Sequence, residues 1–441
     1  MSYEPPKTIW EVSENLRFDE PLDPGDPRFV DMSAARGDVS YSGLLRSLGV
    51  DPKTDELKVG RPRHYALFCG HRGCGKSTEL RRLADRLRRP AAFFVVLLDG
   101  VRELDTNNLQ YADVLLALAQ KLLEALSDRS VPIKDIYLQR LKQWFDQRVE
   151  SHEATKDFAV EVKAGAQAES GLPFLGKLFA SITNSFKTNS TYKEELRRVL
   201  KNSFSDFAEA FKQLLLAAEE ALAGKGLGKR VLFIVDGTDR LSGEDSRRFF
   251  VQDIHQLQLI DGLFIYCGPI PLIYEGSHVS QTFEHVFTLP MVKLSEKGSA
   301  DPLPAGYDAM RKMIHLRADP ALFDAPDTAD YLIEHSGGHP RDLLRLLDYS
   351  FEHSETEQFD RAAAEKAVRA LATDYRRILE ADDYELLRQI DEAPRGEAHG
   401  SERVRHLLFN LVLLEYNDFW WQSHPAVRTL PGYEAAGHSQ S

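Results

Sequence analysis

Lys76 and Ser77, adjacent to one another behind a run of spaced glycines, are the residues of this sequence best suited to chemistry. With Gly70 and Gly75 they fit G-x-x-x-x-G-K-[ST] inside the stretch GHRGCGKST. Glycines lack a Cβ, so such a loop can curl with its N–H groups turned inward, and those donors together with a helix N-terminus hold phosphate oxygens. The nucleotide-binding set is therefore Gly70, His71, Arg72, Gly73, Cys74, Gly75, Lys76, Ser77 and Thr78. Lys76 would reach the β- and γ-phosphates, and the Ser77 hydroxyl would ligate Mg²⁺. ATP and Mg²⁺ are the cofactors expected. A phosphate loop also needs an acid at the tip of a neighbouring strand to hold the metal, and Asp236, closing the apolar run in RVLFIVDGTDRL, stands in such a place. Hydrolysis needs a carboxylate that orients the attacking water. Asp239 is the nearest one after Gly237, and it reads equally as that carboxylate or as a helix N-cap.

The elements that must position these residues follow from periodicity. His64–Cys69 is a short apolar run ahead of the glycines. STELRRLADRLRR behind them has apolar residues at Leu80, Leu83 and Leu87, a helical spacing. Ala91–Asp99, Arg230–Asp236, Gly262–Cys267 and His285–Leu294 read as further strands, apolar enough to be buried on both faces as in parallel sheets. Helical stretches between them, starting with Tyr111–Leu126 and Ile133–Val149, make this an α/β chain: a three-layer P-loop NTPase core with a parallel sheet. About 130 residues separate the second and third strands, where a crossover needs about a dozen. The excess is a helical insertion, about 128–228. It includes an apolar face at Leu175, Leu178, Phe179, Ile182 and Phe186 that either packs internally or docks on a partner or membrane. It also includes a capping box of Thr191 with Glu194 at the head of one long helix. Ser242 and Asp245 would cap the helix after Asp236.

The domain plan is an N-terminal strap (1–60), the core (61–300), an all-α lid (301–380), a C-terminal winged helix (381–432) and a disordered tail (433–441). The lid shows only helical patterns, at Asp308–Leu316, Asp327–His335, Asp342–Tyr349 and Phe359–Glu380. The final segment reads helix, helix, hairpin: Leu411–Tyr416, a turn at Asn417-Asp418, and Phe419–Ser423, with Trp420 and Trp421 packing the wing on its helices.

GHRGCGKST together with VLFIVDGTDRL resembles the STAND branch of signal-transduction ATPases, including the NACHT group. HSGGHPRDLLRLL (His335–Leu347) is similar to the G-x-P-R lid segment of STAND and origin-recognition-like AAA+ ATPases. The resemblance implies that Arg341 is the sensor-2 arginine, reaching the γ-phosphate from the lid. It further implies a slow regulatory ATPase coupled to a protein partner, in bacterial defence or signalling, and nucleotide-dependent self-association. The chain departs from the pattern in two places. Cys267-Gly268-Pro269 stands where these families carry a polar sensor residue, and no arginine lies between Pro269 and Leu289. Both favour a switch over a hexameric motor.

Composition bounds the alternatives. The chain has 441 residues, 43% of them hydrophobic and 28% charged, and a net charge of −13 that repels polyphosphate. Three unpatterned cysteines, Cys69, Cys74 and Cys267, fit a reducing cytoplasmic setting, and no apolar run approaches a membrane span. A DNA-binding helper or loader ATPase acting through the winged helix is the competing reading, with a small-molecule kinase behind it. Between Glu380 and Leu430, however, ten acids face five arginines and no lysine, so duplex DNA is disfavoured as a partner. Arg403 and Arg405 are the only arginines of the candidate recognition helix. A basic cluster at Arg81, Arg82, Arg86, Arg88 and Arg89 is the other surface that could serve.

Overall fold

A computed structural model describes residues 3–437 apart from 38, 106–108, 151–154, 158, 161–170, 189–191, 242, 254, 255, 257, 395–399, 418 and 419. By internal contacts it divides into two compact units. One holds residues 1–40, 70–78 and 288–441; the other holds 41–69 and 79–287.

The second unit is built on the five-stranded parallel α/β sheet expected from the apolar runs. Its strands are β1 (His64–Gly70), β2 (Phe93–Asp99), β3 (Arg230–Asp236), β4 (Leu263–Pro269) and β5 (His285–Leu289), in the order β2-β3-β4-β1-β5. β2 runs parallel to β3 and β3 to β4, and the register sets Asp99 beside Asp236 at their carboxyl ends. Every residue of β1 and β4 is buried, which is why these strands read as unbroken apolar runs and not as alternations. β4 runs two residues beyond the expected Cys267, through Gly268 and Pro269. β5 stops at Leu289, five residues short of the run read from sequence, where Pro290 cannot donate to a ladder.

The insertion is helical, as expected, with two differences. The long helix foreseen before residue 224 is broken into Lys193–Asn202 and Phe204–Gly224. Ser203 leaves helical geometry there: its hydroxyl donates to the Val199 carbonyl and accepts from Trp144 Nε1. A serine that bonds its own backbone competes with the helix ladder. Downstream of Asp135–Trp144 the coil widens into a π-helical turn, Phe145–Glu150. Leu175, Leu178, Phe179, Ile182 and Phe186 are all buried in the core that the insertion shares with helix Tyr111–Asp128, so this face packs internally. Thr191 and Ser242, read as caps, and residues 151–154 and 161–170 of the low-charge stretch lie outside the described residues.

The first unit collects the strap, the glycine loop, the lid and the C-terminal segment. The strap carries a helix that the sequence analysis passed over, Ile9–Asn15, opened by a reciprocal capping box between Thr8 and Glu11. The lid helices are Pro304–His315, Pro326–Ser336, Pro340–His353 and Arg361–Arg376. Three of them open on proline, whose missing N–H costs nothing at a helix start. Helices Ala381–Glu392 and Glu402–Phe409 follow, then an antiparallel hairpin of β6 (Leu413–Tyr416) and β7 (Trp420–Ser423). Trp420 and Trp421 are buried. Asp418 and Phe419, read as turn and strand start, lie outside the described residues. Residues 433–436, assigned to a disordered tail from sequence, belong to the helix Pro431–Ala436, held by the Tyr433 hydroxyl, which donates to Asp391 at 2.6 Å. Among the described residues no helix is long and apolar enough to cross a membrane.

Candidate nucleotide site

The glycine loop adopts the backbone its composition asks for. Gly73 and Gly75 sit at φ +91° and +103°, in the left-handed region. A Cβ on Gly73 would come within 2.7 Å of His339 Nε2 and 2.8 Å of Arg341 Cβ, so this glycine also permits a close approach by the lid. Lys76 is 3% exposed, and its ammonium donates to the carbonyls of Gly70 and His71 at 2.8 Å each. The helix Lys76–Leu87 begins at that lysine, so the loop leads into a helix N-terminus as phosphate binding requires. Thr78 Oγ1 accepts from the Leu22 N–H of the strap at 3.1 Å. Ser77 is half-buried on the same first turn.

Three other segments of the first unit hold the loop by its polar atoms. From the strap, the buried Arg36 donates to the carbonyls of Cys74 (2.6 Å) and Pro290 (2.7 Å). From the lid, the His339 ring meets the Arg72 carbonyl at 2.9 Å. A carbonyl only accepts, so that nitrogen carries a proton. From β6, the Glu415 N–H donates to His71 Nε2 at 2.7 Å. Burial, with lesser contributions from His339 and Lys76, pushes the His71 imidazole well below its ordinary pKa, so the ring is neutral and able to accept. Each bond is worth about 1 kcal/mol net, and more if its buried partner is left unsatisfied.

The His71 ring turns to β6, while its backbone remains part of the glycine loop. Glu415 lies in β6, 4% exposed, with its carboxylate accepting from Trp421 Nε1. The Cys74 thiol is buried and points toward the Leu289 carbonyl, 3.9 Å away.

Arg341 lies in the first turn of helix Pro340–His353, as G-x-P-R spacing suggests, with its Cβ against Gly73 and its Nε donating to the Phe18 carbonyl at 3.4 Å. The next residue, Asp342, anchors a polar cluster that the sequence did not reveal. Its carboxylate lies 3.1 Å from His339 Nδ1 and 3.3 Å from His424 Nε2, and it accepts from the Tyr375 hydroxyl and from Arg345. Burial alone would raise the Asp342 pKa, but the two histidines hold it well below the usual carboxylate range. Burial likewise lowers the pKa of His424, whose Nδ1 accepts from the Ala426 N–H. The ring bonded to the glycine loop is thus tied through one carboxylate to a histidine beyond β7.

In the second unit Asp236 ends β3, 5% exposed, with Oδ1 accepting from the Gly237 N–H at 2.8 Å. Asp239 is 9% exposed inside the 3-10 turn Thr238–Arg240, whose N-cap position Gly237 holds. The structure brings Asp236 and Asp239 together, with Cys267 from β4 beside them. The two carboxylates are the oxygen donors that a hard divalent cation takes, so Asp236 and Asp239 fit the Mg²⁺ that the loop motif implies.

No family model matches the sequence, and no curated protein matches it. Among solved structures, the chain is similar to the RuvB Holliday junction branch migration motor of Thermotoga maritima. The TM-score is 0.36 at 12% sequence identity, covering 96% of this chain and 99% of that one. A variant of the same motor gives a TM-score of 0.36 at 11% identity, with the same coverage of both chains.

Proposed function

We propose that this chain is an ATP-binding, slowly hydrolysing regulatory switch of STAND/AAA+ type that couples its nucleotide state to a protein partner. The observation that carries this reading is the hold on the glycine loop. Strap, lid and C-terminal hairpin each bond a polar atom of residues 70–78 within one unit. A phosphate that draws the Lys76 ammonium off the Gly70 and His71 carbonyls changes the loop to which those segments are tied. Nucleotide state is thereby felt in the C-terminal segment without a separate relay.

In this reading Lys76 binds the β- and γ-phosphates, Ser77 and Asp236 hold Mg²⁺, and Arg341 answers to the γ-phosphate. Asp239 orients the water as the catalytic carboxylate. Mg²⁺ supplies charge neutralisation between the phosphates when bound.

The competing DNA-helper reading draws less support. Arg403, the first basic residue of its candidate recognition helix, is spent on Asp383 and Glu380. In the other basic cluster Arg81 pairs with Asp99, Arg82 with Glu79 and Arg86 with Asp55.

The test is titration calorimetry with ATP and Mg²⁺ on the full chain and on Lys76→Ala. The variant should fold normally and lose ATP binding; unchanged affinity would remove the basis of the reading.

A further inference from the structure

In the first unit, strap and lid residues line a cavity of about 480 Å³, within the range of small-molecule sites. Pro5, Pro6 and Leu16 give it apolar walls, while Tyr3, Arg28 and Arg317 bring polar groups. None of its lining residues belongs to the glycine loop. Two bonds hold strap to lid there: the Tyr3 hydroxyl donates to the Leu316 carbonyl at 2.5 Å, and the Asp319 N–H donates to the Pro6 carbonyl at 2.9 Å. The charges along the strap are engaged locally. Lys7 pairs with Glu4 at 2.6 Å, and the Glu11 carboxylate accepts from the N–H groups of Lys7 and Thr8. Arg317 is the exception. Its Nη1 donates only to neutral acceptors, the carbonyls of Met313 (3.0 Å) and Arg28 (3.4 Å). Among the described residues no carboxylate pairs with it. Asp26, whose charge reaches it, is bonded bidentately by Arg28 at 3.0 and 2.7 Å. Burial, with Arg28 alongside, lowers the Arg317 pKa to about 10. Arg28 and Arg317 against Asp26 leave one positive charge over, where buried charges are ordinarily paired.

We propose that this cavity binds a small organic carboxylate with an apolar body, its carboxylate taken by Arg317. One excess positive charge matches one carboxylate, whereas a phosphate dianion would bring a second charge with no counterpart. With Nη1 spent on carbonyls, Nε and Nη2 make no bond to the described residues. That edge of a guanidinium carries two parallel donors, the geometry that holds a carboxylate by both oxygens. Pro5, Pro6 and Leu16 supply the apolar surface against which the rest of the ligand leaves water. An occupant so held touches both the strap and the segment behind the first lid helix, and fastens one to the other.

The probe is benzoate, titrated into the full chain by ligand-observed NMR with and without ATP and Mg²⁺. Benzamide, its neutral isostere, and inorganic phosphate are the contrasts. Benzoate should bind saturably and alike in both conditions, with neither benzamide nor phosphate displacing it. Arg317→Met should weaken benzoate by about tenfold or more, the worth of a bond to a charged group, and leave ATP affinity unchanged. A second measurement needs no variant, so a failure of Arg317→Met to fold does not shelter the proposal. The photoreactive analogue 4-benzoylbenzoate, irradiated on the wild-type chain, should label the peptides that carry Tyr3–Leu16 or Arg28. Absence of benzoate binding, displacement by benzamide or phosphate, or labelling confined to other peptides would overturn the inference. So would displacement by ATP, which would move the benzoate to the nucleotide site. A chain that binds benzoate but no ATP would keep this inference and lose the switch reading.

Discussion

Acid should loosen the first unit through His71, and the size of the effect follows from its setting. The ring is 1% exposed, and its Nε2 accepts from the Glu415 N–H. A proton on Nε2 would face a donor in a site that burial already makes hostile to charge, so the folded pKa lies well below the ordinary value. The unfolded chain takes that proton near pH 6.5. A histidine with a lowered folded pKa contributes its full stability above the unfolded pKa and loses it as pH falls below, because the unfolded state then binds more protons. For one such group the loss between pH 7.5 and 5.5 is about 1.4 kcal/mol, a factor of about ten in the folding constant. His424, also lowered by burial in the same unit, adds a parallel loss, so the informative comparison is with His71→Gln. The glutamine amide oxygen can accept from the same N–H but does not titrate. Urea unfolding at the two pH values reports the unit through Trp420 and Trp421, which are buried in β7, with Trp421 opposite Glu415. The variant should lose less stability on acidification, by about 1.4 kcal/mol. Equal losses in both proteins would refute the claim that His71 is held neutral.

Three further outcomes are expected. Arg341→Ala should keep ADP affinity and lose its preference for ATP in calorimetry; equal losses for both nucleotides would assign Arg341 to the lid fold. Asp236→Ala should weaken Mg²⁺-dependent binding, whereas Asp239→Asn should keep binding and slow phosphate release by about 10²–10⁴-fold, the usual worth of a positioned acid–base group; hydrolysis at the wild-type rate would place the catalytic carboxylate elsewhere. Arg403→Glu combined with Arg405→Glu should lower thermal stability, since it sets a glutamate against Asp383, while generic duplex DNA stays unshifted at physiological salt in wild type and variant alike. Salt-sensitive wild-type binding at micromolar protein, lost in the variant, would promote the DNA-helper reading.

Much of the sheet was legible because its strands are buried on both faces, which leaves runs such as AAFFVVLLD with no polar interruption. The glycine loop was legible because φ values like those of Gly73 and Gly75 leave few choices of residue. What could not be read is what grips that loop. His339 and Glu415 reach the loop across hundreds of residues, and Arg36 and His424 reach Cys74 and Asp342 across dozens; no local period encodes such meetings. Glu415 shows the limit well: an acid flanked by a tyrosine and a turn reads as solvent-facing until the Trp421 indole is seen opposite it. Ser203 is different, because its signal was present in sequence. A serine in mid-helix is a standing invitation to bond backwards, and N-S-F within an otherwise strong helix pattern could have been read as a break.

The bond between Glu415 and His71 joins residues 344 apart in the chain. A ribosome adding about 5–20 residues per second needs roughly 17–70 seconds to travel from one to the other. For that interval the glycine loop exists on the nascent chain without its β6 contact, and the lid histidine that holds Arg72 is itself made only shortly before. The loop's final setting is therefore one of the last things synthesis delivers. Any nucleotide taken up earlier would be bound by a loop not yet tied to the segments that are to sense it.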